Sequence, residues 1–334
     1  MYKSLLVKIS LSLFGTIFAL LLLEIGLRVC IAPKAHAAKL DRPSADYMPA
    51  GSLNRFRDRH HKWEKPVGTF RILAVGDSFT YAGKVLPQDS YSSLLGEFFN
   101  NSGASNNIKF EVIKAAMPGL NATREAHLFV TMFERYHPDL VVHQLFLNDA
   151  EEVPFEYSDY GHVVASLDAA LESKFLTYSY GLSLVFDRVR RKVVHDQTIK
   201  YYEDLYSNPQ RWQAFRGAVR GIRDYARERN AQFFAFLFPA LGGDLTQERY
   251  PFLGIHQQIQ EFMDKRKIPY LDLLHEYFDL DPVRLQAIPG IDSHPNEISH
   301  RIAAEAIFKS LLNYQLVPLP KTLDFGVHLG PTKE

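Results

Sequence analysis

Between residues 69 and 313 the sequence alternates short apolar segments with longer amphipathic ones, and this alternation limits the fold more than any other feature. The apolar segments are rich in β-branched and aromatic residues, as buried strands are. The amphipathic segments carry apolar residues at three- and four-residue spacing, as helices do. We therefore predict a three-layer α/β/α sandwich with a mostly parallel sheet. The predicted strands are 70–75, 109–115, 140–147, 232–238 and 268–273, and the predicted helices are 91–100, 122–136, 211–230, 251–267 and 297–312.

The N-terminus carries a second kind of pattern. Residues 9–23 are uncharged and apolar, and extension to residue 31 gives roughly the 20 residues that a bilayer core requires. No small-residue cleavage site follows closely, so we predict a short head at 1–8 and a retained transmembrane anchor at 9–31. Glu24 and Arg28 have the i, i+4 spacing of a pair that neutralises itself near the membrane interface. A short basic head favours an extracytoplasmic location for the body of the chain.

Three further segments differ from the alternating pattern. Residues 32–68 are polar and contain prolines, which predicts a linker and surface loop, and residues 314–334 are predicted to be an extended tail. Residues 151–208 interrupt the alternation and are predicted to be an insertion in the 69–313 domain. The insertion contains a basic stretch that we interpret as a solvated helix face, with binding of anionic substrate or lipid headgroups as the alternative. The stretch comprises Arg188, Arg190, Arg191 and Lys192.

Composition excludes several classes of function. Lys plus Arg and Asp plus Glu both number 38, so no net charge draws the chain to nucleic acid, and we predict no nucleic-acid partner. Cys30 is the only cysteine, which excludes an internal disulfide and a cysteine-based zinc site. The histidines show no grouping typical of metal ligands. We therefore predict neither a metal nor a cofactor.

Candidate site residues follow three of the predicted strands. Ser78 comes directly after the first strand and before a helix, where its hydroxyl emerges at the carboxyl edge of the sheet; helix capping by Asp77 or Ser78 is the alternative. Gly119 follows the second strand, where a glycine lets a backbone N–H approach a ligand. Asn148 follows the third, and its amide is able to donate to an oxyanion. Plain turns also explain both of these residues.

A histidine with a nearby carboxylate precedes the last predicted helix. His294 and Asp292 belong to the segment Asp-Ser-His-Pro-Asn. A serine hydroxyl is too weakly acidic to react without a general base, and an imidazole supplies one. Taken alone, the segment is also consistent with a surface loop.

Together these segments resemble, in order, the four sequence blocks of the SGNH (GDSL-like) hydrolases: Gly76-Asp77-Ser78-Phe79-Thr80, Gly119, Asn148-Asp149 and the Asp292/His294 pair. The resemblance covers roughly residues 69–313 and implies a flavodoxin-like fold. It also implies Ser78 as nucleophile, His294 as base and Asp292 as its orienting partner. The implied oxyanion hole consists of the backbone N–H groups of Ser78 and Gly119 with the side chain of Asn148.

Two departures from the family pattern affect the expected function. Asp292 lies two residues before His294, where the family usually has three, and Ile291 occupies the usual position. The shorter spacing resembles that of polysaccharide O-acetyltransferases. Phe146 stands where the third block commonly has glycine, which narrows the expected pocket. We expect an esterase or deacetylase acting on an ester-bearing small molecule, lipid or glycan, with an O-acetyltransferase of envelope polysaccharide and an inactive envelope scaffold protein as alternatives.

Overall fold

The computed structural model describes residues 2–30, 55–102, 108–171 and 179–318. Its first helix, α1 (Tyr2–Cys30), includes residues 2–8 of the predicted head and residues 9–30 of the predicted anchor. Within it, Val7–Val29 has a mean hydropathy of 2.1 and is not buried by other parts of the chain. By length and composition this segment suits a membrane anchor, and also a signal sequence.

A five-stranded parallel sheet forms the centre of the remaining chain, as the sequence predicts. Its strands lie in the order β2-β1-β3-β4-β5. The order reverses beside β1, which makes the carboxyl end of β1 the topological switch point where ligands bind in such sheets. The strands are β1 (Thr69–Gly76), β2 (Lys109–Ala116), β3 (Leu140–Leu145), β4 (Gln232–Leu237) and β5 (Tyr270–Asp272).

Helices cover the sheet in two pairs, which completes the three-layer sandwich. Helix α3 (Tyr91–Asn101) packs against α10 (Glu297–Asn313), and α4 (Ala122–Tyr136) packs against α7 (Pro209–Glu228). Strand residues between the helices are almost wholly buried, which places the apolar core on both faces of the sheet. The helices are α2 (Ser78–Tyr81), α3 (Tyr91–Asn101), α4 (Ala122–Tyr136), α7 (Pro209–Glu228), α8 (Leu253–Lys265), α9 (Leu274–Tyr277) and α10 (Glu297–Asn313).

Two local features differ from the sequence predictions. The third strand ends at Leu145 and not at residue 147, because a 3₁₀ turn begins at Leu147 and the Asp149 carboxylate accepts the backbone N–H of Phe146 at 2.9 Å. A small antiparallel hairpin, β6 (Gln286–Ile288) and β7 (Asp292–Pro295), precedes α10. Its strands are too short and polar to produce a periodic signal.

The predicted insertion folds as two helices, α5 (Asp159–Leu171) and α6 (Tyr180–Ser207). The chain divides into two compact units, and the unit boundary lies within α6. One unit, here called the helical unit, comprises residues 1–44 and 155–201; the other, the α/β unit, comprises residues 45–154 and 202–334.

The end of the predicted linker packs into the α/β unit. Phe56, Arg57 and Asp58 are buried, which corrects the interpretation of this stretch as surface loop. The Asp58 carboxylate accepts the backbone N–H of Lys114 on β2 at 2.9 Å, and the Arg57 guanidinium donates to the Ala82 carbonyl after α2. Polar side chains with buried partners leave no trace in hydropathy, so composition alone misplaces them. Residues 31–54 of the predicted linker and 319–334 of the predicted tail lie outside the described residues.

Candidate active site

A tight turn at the end of β1 places Ser78 at the carboxyl edge of the sheet. A Cβ at Gly76 would lie 2.3 Å from both Gln144 Oε1 and Thr80 Oγ1, so only glycine fits. Gln144 Oε1 accepts the hydroxyl of Thr80 at 2.9 Å and the backbone N–H of Asp77 at 3.2 Å. Asp77 in turn caps α2 by accepting the N–H of Phe79 at 2.9 Å. These bonds fix the turn and leave Ser78 half-buried at its tip.

Ser78, His294 and Asp292 form a continuous hydrogen-bonded chain. Ser78 Oγ lies 3.0 Å from His294 Nε2, and His294 Nδ1 lies 2.6 Å from Asp292 Oδ1. The same carboxylate oxygen accepts the backbone N–H of His294 at 3.0 Å. The imidazole keeps 39% of its side-chain surface exposed, so the hydroxyl end of the chain is reachable from solvent.

The hairpin strand β7 explains the spacing of Asp292 and His294. Alternate residues of a strand point to the same side, so two residues at i and i+2 on β7 present their side chains together. A two-residue spacing therefore suits a strand, and the departure from the family pattern has a geometric cause.

Asp292 is held as a carboxylate by its surroundings. Its pKa is lowered to about 2, chiefly by the hydrogen bond from His294 and in smaller part by Lys84, whose Nζ lies 3.6 Å from Asp292 Oδ2. An ionised acceptor at Nδ1 fixes the ring so that Nε2 faces the serine hydroxyl.

The other two predicted residues lie at neighbouring strand ends. Gly119 occupies a turn after β2 with φ of +75°, exposed and with open space around its Cα. Asn148 lies in the 3₁₀ turn after β3, half-buried, with its side chain beside the Asp77 carboxyl. Because β1, β2 and β3 are adjacent and parallel, Ser78, Gly119 and Asn148 share one edge of the sheet.

The strands lie in the order 2-1-3-4-5, and the four sequence blocks lie at one edge of the sheet. This arrangement is similar to that of the SGNH hydrolases. No protein-family model matches the sequence, and no curated protein is significantly similar to it.

Several solved structures are similar to this chain at low sequence identity. TesA covers 74% of this chain and 99% of its own at 14% identity, with a TM-score of 0.43. The esterase EstA from Pseudoalteromonas sp. covers 73% and 98% at 12% identity and a TM-score of 0.42. A catalytic mutant of Axe2, an acetylxylan esterase from Geobacillus stearothermophilus, covers 72% and 94% at 12% identity and a TM-score of 0.45.

Three buried carboxyl groups lie near the turn that carries Ser78. Asp77, Glu125 and Asp149 are almost wholly buried, and burial raises the pKa of each, with mutual repulsion adding to the shift for Glu125 and Asp149. Glu125 Oε2 lies 2.8 Å from His143 Nε2, and burial lowers the pKa of His143 to about 3. A neutral imidazole beside a neutral acid is the form that this dry environment favours.

Sequence reasoning missed several residues that build the site. Gln144 holds the serine turn, and a polar residue within the buried strand segment Val-Val-His-Gln-Leu was the available signal. The Phe79 ring lies 5.5 Å from the His294 ring and 4.3 Å from the Phe146 ring. Phe79 therefore packs between the predicted base and Phe146, the residue expected to narrow the pocket. Lys84, in an irregular loop, gave no signal in the sequence.

Proposed function

We propose that the chain is a serine-dependent ester hydrolase with Ser78 as nucleophile, His294 as general base and Asp292 as the group that orients the base. The observation that carries this proposal is the hydrogen-bonded chain of 3.0 Å and 2.6 Å between these three side chains at the switch point of the sheet. A nucleophile bonded to a base, and a base bonded to an orienting carboxylate, is the arrangement that covalent acyl transfer needs.

In the proposed reaction His294 Nε2 takes the proton of Ser78 while Ser78 Oγ bonds to the carbonyl carbon of the ester. The resulting tetrahedral intermediate collapses, the carbon–oxygen bond to the alcohol breaks, and the alcohol leaves with the proton from His294. Water then attacks the acyl-enzyme, again giving a proton to His294, and release of the acid returns that proton to Ser78. The charge of Asp292 stabilises the imidazolium in both halves of the cycle.

The oxyanion of each tetrahedral intermediate is proposed to receive the backbone N–H groups of Ser78 and Gly119 and one N–H of the Asn148 amide. The amide has two N–H donors, so one is able to face Asp77 while the other faces the oxyanion. The open space at Gly119 supports this role, because a Cβ placed there would meet nothing within 4 Å. Donors of this kind each contribute roughly a hundred- to a thousandfold in rate.

The substrate is proposed to be an ester with a short acyl group, on a small molecule, lipid or glycan of the cell envelope. Phe146 stands where a glycine would leave room beside the nucleophile, and its ring stacks on Phe79 at 4.3 Å. The apolar segment Val7–Val29 supports attachment to a membrane, and the short basic head before it supports an extracytoplasmic active site.

Fluorophosphonate labelling of the full-length protein in detergent tests the assignment. We expect labelling of the wild type and of Ser293→Ala, and none of Ser78→Ala, because only the serine bonded to His294 is activated. Ser293 is a matched control, since it is exposed and adjacent to the same histidine. Hydrolysis of p-nitrophenyl acetate should fall by about a thousandfold or more in Ser78→Ala. Equal labelling of both variants would refute the proposal, and no labelling of the wild type would favour an inactive envelope scaffold.

A second candidate is O-acetyl transfer to a polysaccharide hydroxyl by the same residues. The two-residue spacing of Asp292 and His294 favours it. The acyl-enzyme would then pass its acyl group to a sugar hydroxyl that His294 deprotonates. Incubation with an acetyl donor and candidate envelope glycans separates the two functions, because acetylated glycan in excess of free acetate identifies a transferase.

A further inference from the structure

Glu24 joins the apolar helix α1 to the start of α6 within the helical unit. Its carboxylate accepts the backbone N–H groups of Tyr180 and Gly181 and the hydroxyl of Ser179, and it also pairs with Arg28 at 2.8 Å. The first N–H groups of a helix have no partner within the helix, so this carboxylate satisfies donors that an apolar medium would leave unpaired. The contact explains why an acidic residue occurs inside an apolar segment.

The position of this contact fixes the start of α6 relative to the apolar segment. Glu24 lies five residues before Val29, where the apolar segment ends. At the helical rise this is about 7–8 Å of depth. A Cβ at Gly181 would lie 3.4 Å from Leu27 Cδ1, so α6 begins in direct packing contact with α1. If α1 crosses a bilayer, α6 therefore begins at the boundary between hydrocarbon and headgroups.

The exposed face of α6 carries apolar residues in its first turns and basic residues beside the later apolar ones. Leu182, Val185 and Val189 are 45%, 62% and 50% exposed and lie at helical spacing on one face. Arg188 and Lys192 are exposed on the same face, three residues after Val185 and after Val189 respectively. The face thus begins with apolar residues next to α1, and the basic residues lie beside the later ones, with Arg188 directly before Val189.

The basic residues of this face form no ion pair within the part of the chain that the structure describes. Among the side chains that the structure describes, Arg188 and Lys192 form no ion pair, whereas Arg190 pairs with Asp168 of α5 and Arg191 pairs with Asp187. An apolar stripe bordered by cations that form no ion pair within the described part of the chain matches the profile of a membrane surface, where hydrocarbon gives way to lipid phosphates within a few ångströms. A solvated face would not need the apolar half of this pattern.

We propose that the first turns of α6, residues 180–192, form a second membrane-binding element that lies in the bilayer interface beside α1. Leu182, Val185 and Val189 insert among the upper acyl chains, and Arg188 and Lys192 bind the phosphates of anionic lipids. This inference rests on retention of α1 in the membrane and is independent of the proposed ester hydrolysis.

Depth measurements on the full-length protein test the proposal. Cys30 is replaced by serine, and a single cysteine carrying an environment-sensitive fluorophore is placed at Val185 or, as the control, at Val130, an exposed valine of α4. Each protein is reconstituted in nanodiscs of phosphatidylcholine, with or without phosphatidylglycerol, containing nitroxide-labelled lipids. We expect the label at residue 185 to be quenched several-fold more strongly by acyl-chain nitroxides than the label at residue 130. Phosphatidylglycerol should strengthen this quenching.

Reversal of the basic charges on α6 is a second test of the proposal. Arg188→Glu combined with Lys192→Glu should abolish the effect of phosphatidylglycerol, while reversal of the exposed Lys265 and Lys267 should preserve it. Turnover of a soluble ester in detergent, or the unfolding transition if the chain has no turnover, checks that each variant is folded. Equal access of iodide to both labels would overturn the proposal. Concentration-dependent disulfide formation between two copies of the unlabelled Val185→Cys protein, together with no lipid quenching of the labelled one, would also overturn it by identifying a second copy as the partner.

Discussion

The α/β unit contains two chains of hydroxyl, imidazole and carboxylate with the same connectivity. One is the Ser78 chain of the candidate site. In the other, Tyr250 Oη lies 3.0 Å from His256 Nε2, and His256 Nδ1 lies 2.9 Å from each oxygen of Asp272. Distances alone do not separate a catalytic chain from a structural one.

The two chains differ in solvent exposure and in the environment of the hydroxyl group. His256 is 1% exposed, and burial raises the pKa of Tyr250 beyond its ordinary value. The Tyr250 oxygen also accepts the backbone N–H of Ala240 at 2.9 Å, and Asp272 accepts the N–H of Leu274 at 2.9 Å. The buried chain thus fastens the segment after β4 to the end of β5. The Ser78 chain instead ends at an open edge of the sheet, where a substrate is able to meet the hydroxyl.

Replacement of His294 and of His256 should give the largest effects, one on turnover and the other on stability. His294→Ala should lower ester turnover by about a thousandfold or more, because Ser78 loses its base, with little change in stability. His256→Ala should instead lower the free energy of unfolding by about 3 kcal/mol, because Asp272 stays buried without its main partner. Turnover and urea unfolding in detergent measure the two effects. A large loss of stability in His294→Ala, or a specific loss of turnover in a stable His256→Ala, would contradict the distinction.

Gly76→Ala should disturb the Ser78 chain through the backbone. The added methyl would meet Gln144 Oε1 and Thr80 Oγ1 at 2.3 Å, so the turn that carries the serine must shift. We expect turnover to fall by roughly tenfold to a hundredfold and stability by about 2 kcal/mol. Gly221→Ala in α7 is the matched control, since a Cβ there meets nothing within 4 Å. That variant should gain about 0.5–1 kcal/mol from helix propensity and keep its turnover.

The strands of the sheet can be predicted because the hydrophobic periodicity of each short segment shows whether it is a buried strand or an amphipathic helix. Each predicted strand overlaps an observed strand, and Ala122–Tyr136 has the predicted bounds. The spacing of apolar residues in a buried strand or an amphipathic helix is the same whichever segments pack against it. Placement of Ser78 after β1 and Asn148 after β3 follows from the same patterns, because parallel strands end at a common edge.

Features that depend on tertiary partners were not predictable in this way. The burial of Arg57 and Asp58 depends on partners at Ala82 and Lys114, which lie 25 and 56 residues away in the sequence. The hairpin that carries His294 has strands of three and four residues, too short for any periodicity. The two-residue spacing in the last block was visible in the sequence, but its cause was not.

Phe146→Ala should alter which esters reach the Ser78 hydroxyl. This hydroxyl is accessible to substrate, whereas the Tyr250 hydroxyl is buried. Loss of the ring beside Phe79 opens space at the nucleophile. We expect the ratio of octanoate to acetate turnover, measured with p-nitrophenyl esters, to rise roughly tenfold. Phe98→Ala, which removes a half-buried ring packed on Phe308 between α3 and α10, is the control and should leave the ratio unchanged. An unchanged ratio in Phe146→Ala would place the acyl group elsewhere.

The buried carboxylates of the two regions also differ in their partners. Asp272 has hydrogen bonds to both oxygens, whereas Asp149 Oδ1 has no partner among the residues that the structure describes. Burial raises the pKa of Asp149 well above its ordinary value, so near neutral pH the folded chain holds a proton that the unfolded chain releases. Asp149 therefore contributes fully to stability below its unfolded pKa near 4, and the contribution is lost as the pH rises toward the folded pKa.

Asp149→Asn should remove this pH dependence, because an amide mimics the protonated acid and still accepts the N–H of Phe146. The difference in unfolding free energy between variant and wild type should grow in favour of the variant between pH 5 and 8, by at most about 1.4 kcal/mol per pH unit. Urea unfolding in detergent across this range measures it. Glu261→Gln, at an exposed position of α8, should give a difference that does not grow with pH. Parallel curves for Asp149→Asn and wild type would mean that Asp149 is charged in the fold, and that a partner stabilises its carboxylate as His256 does for Asp272.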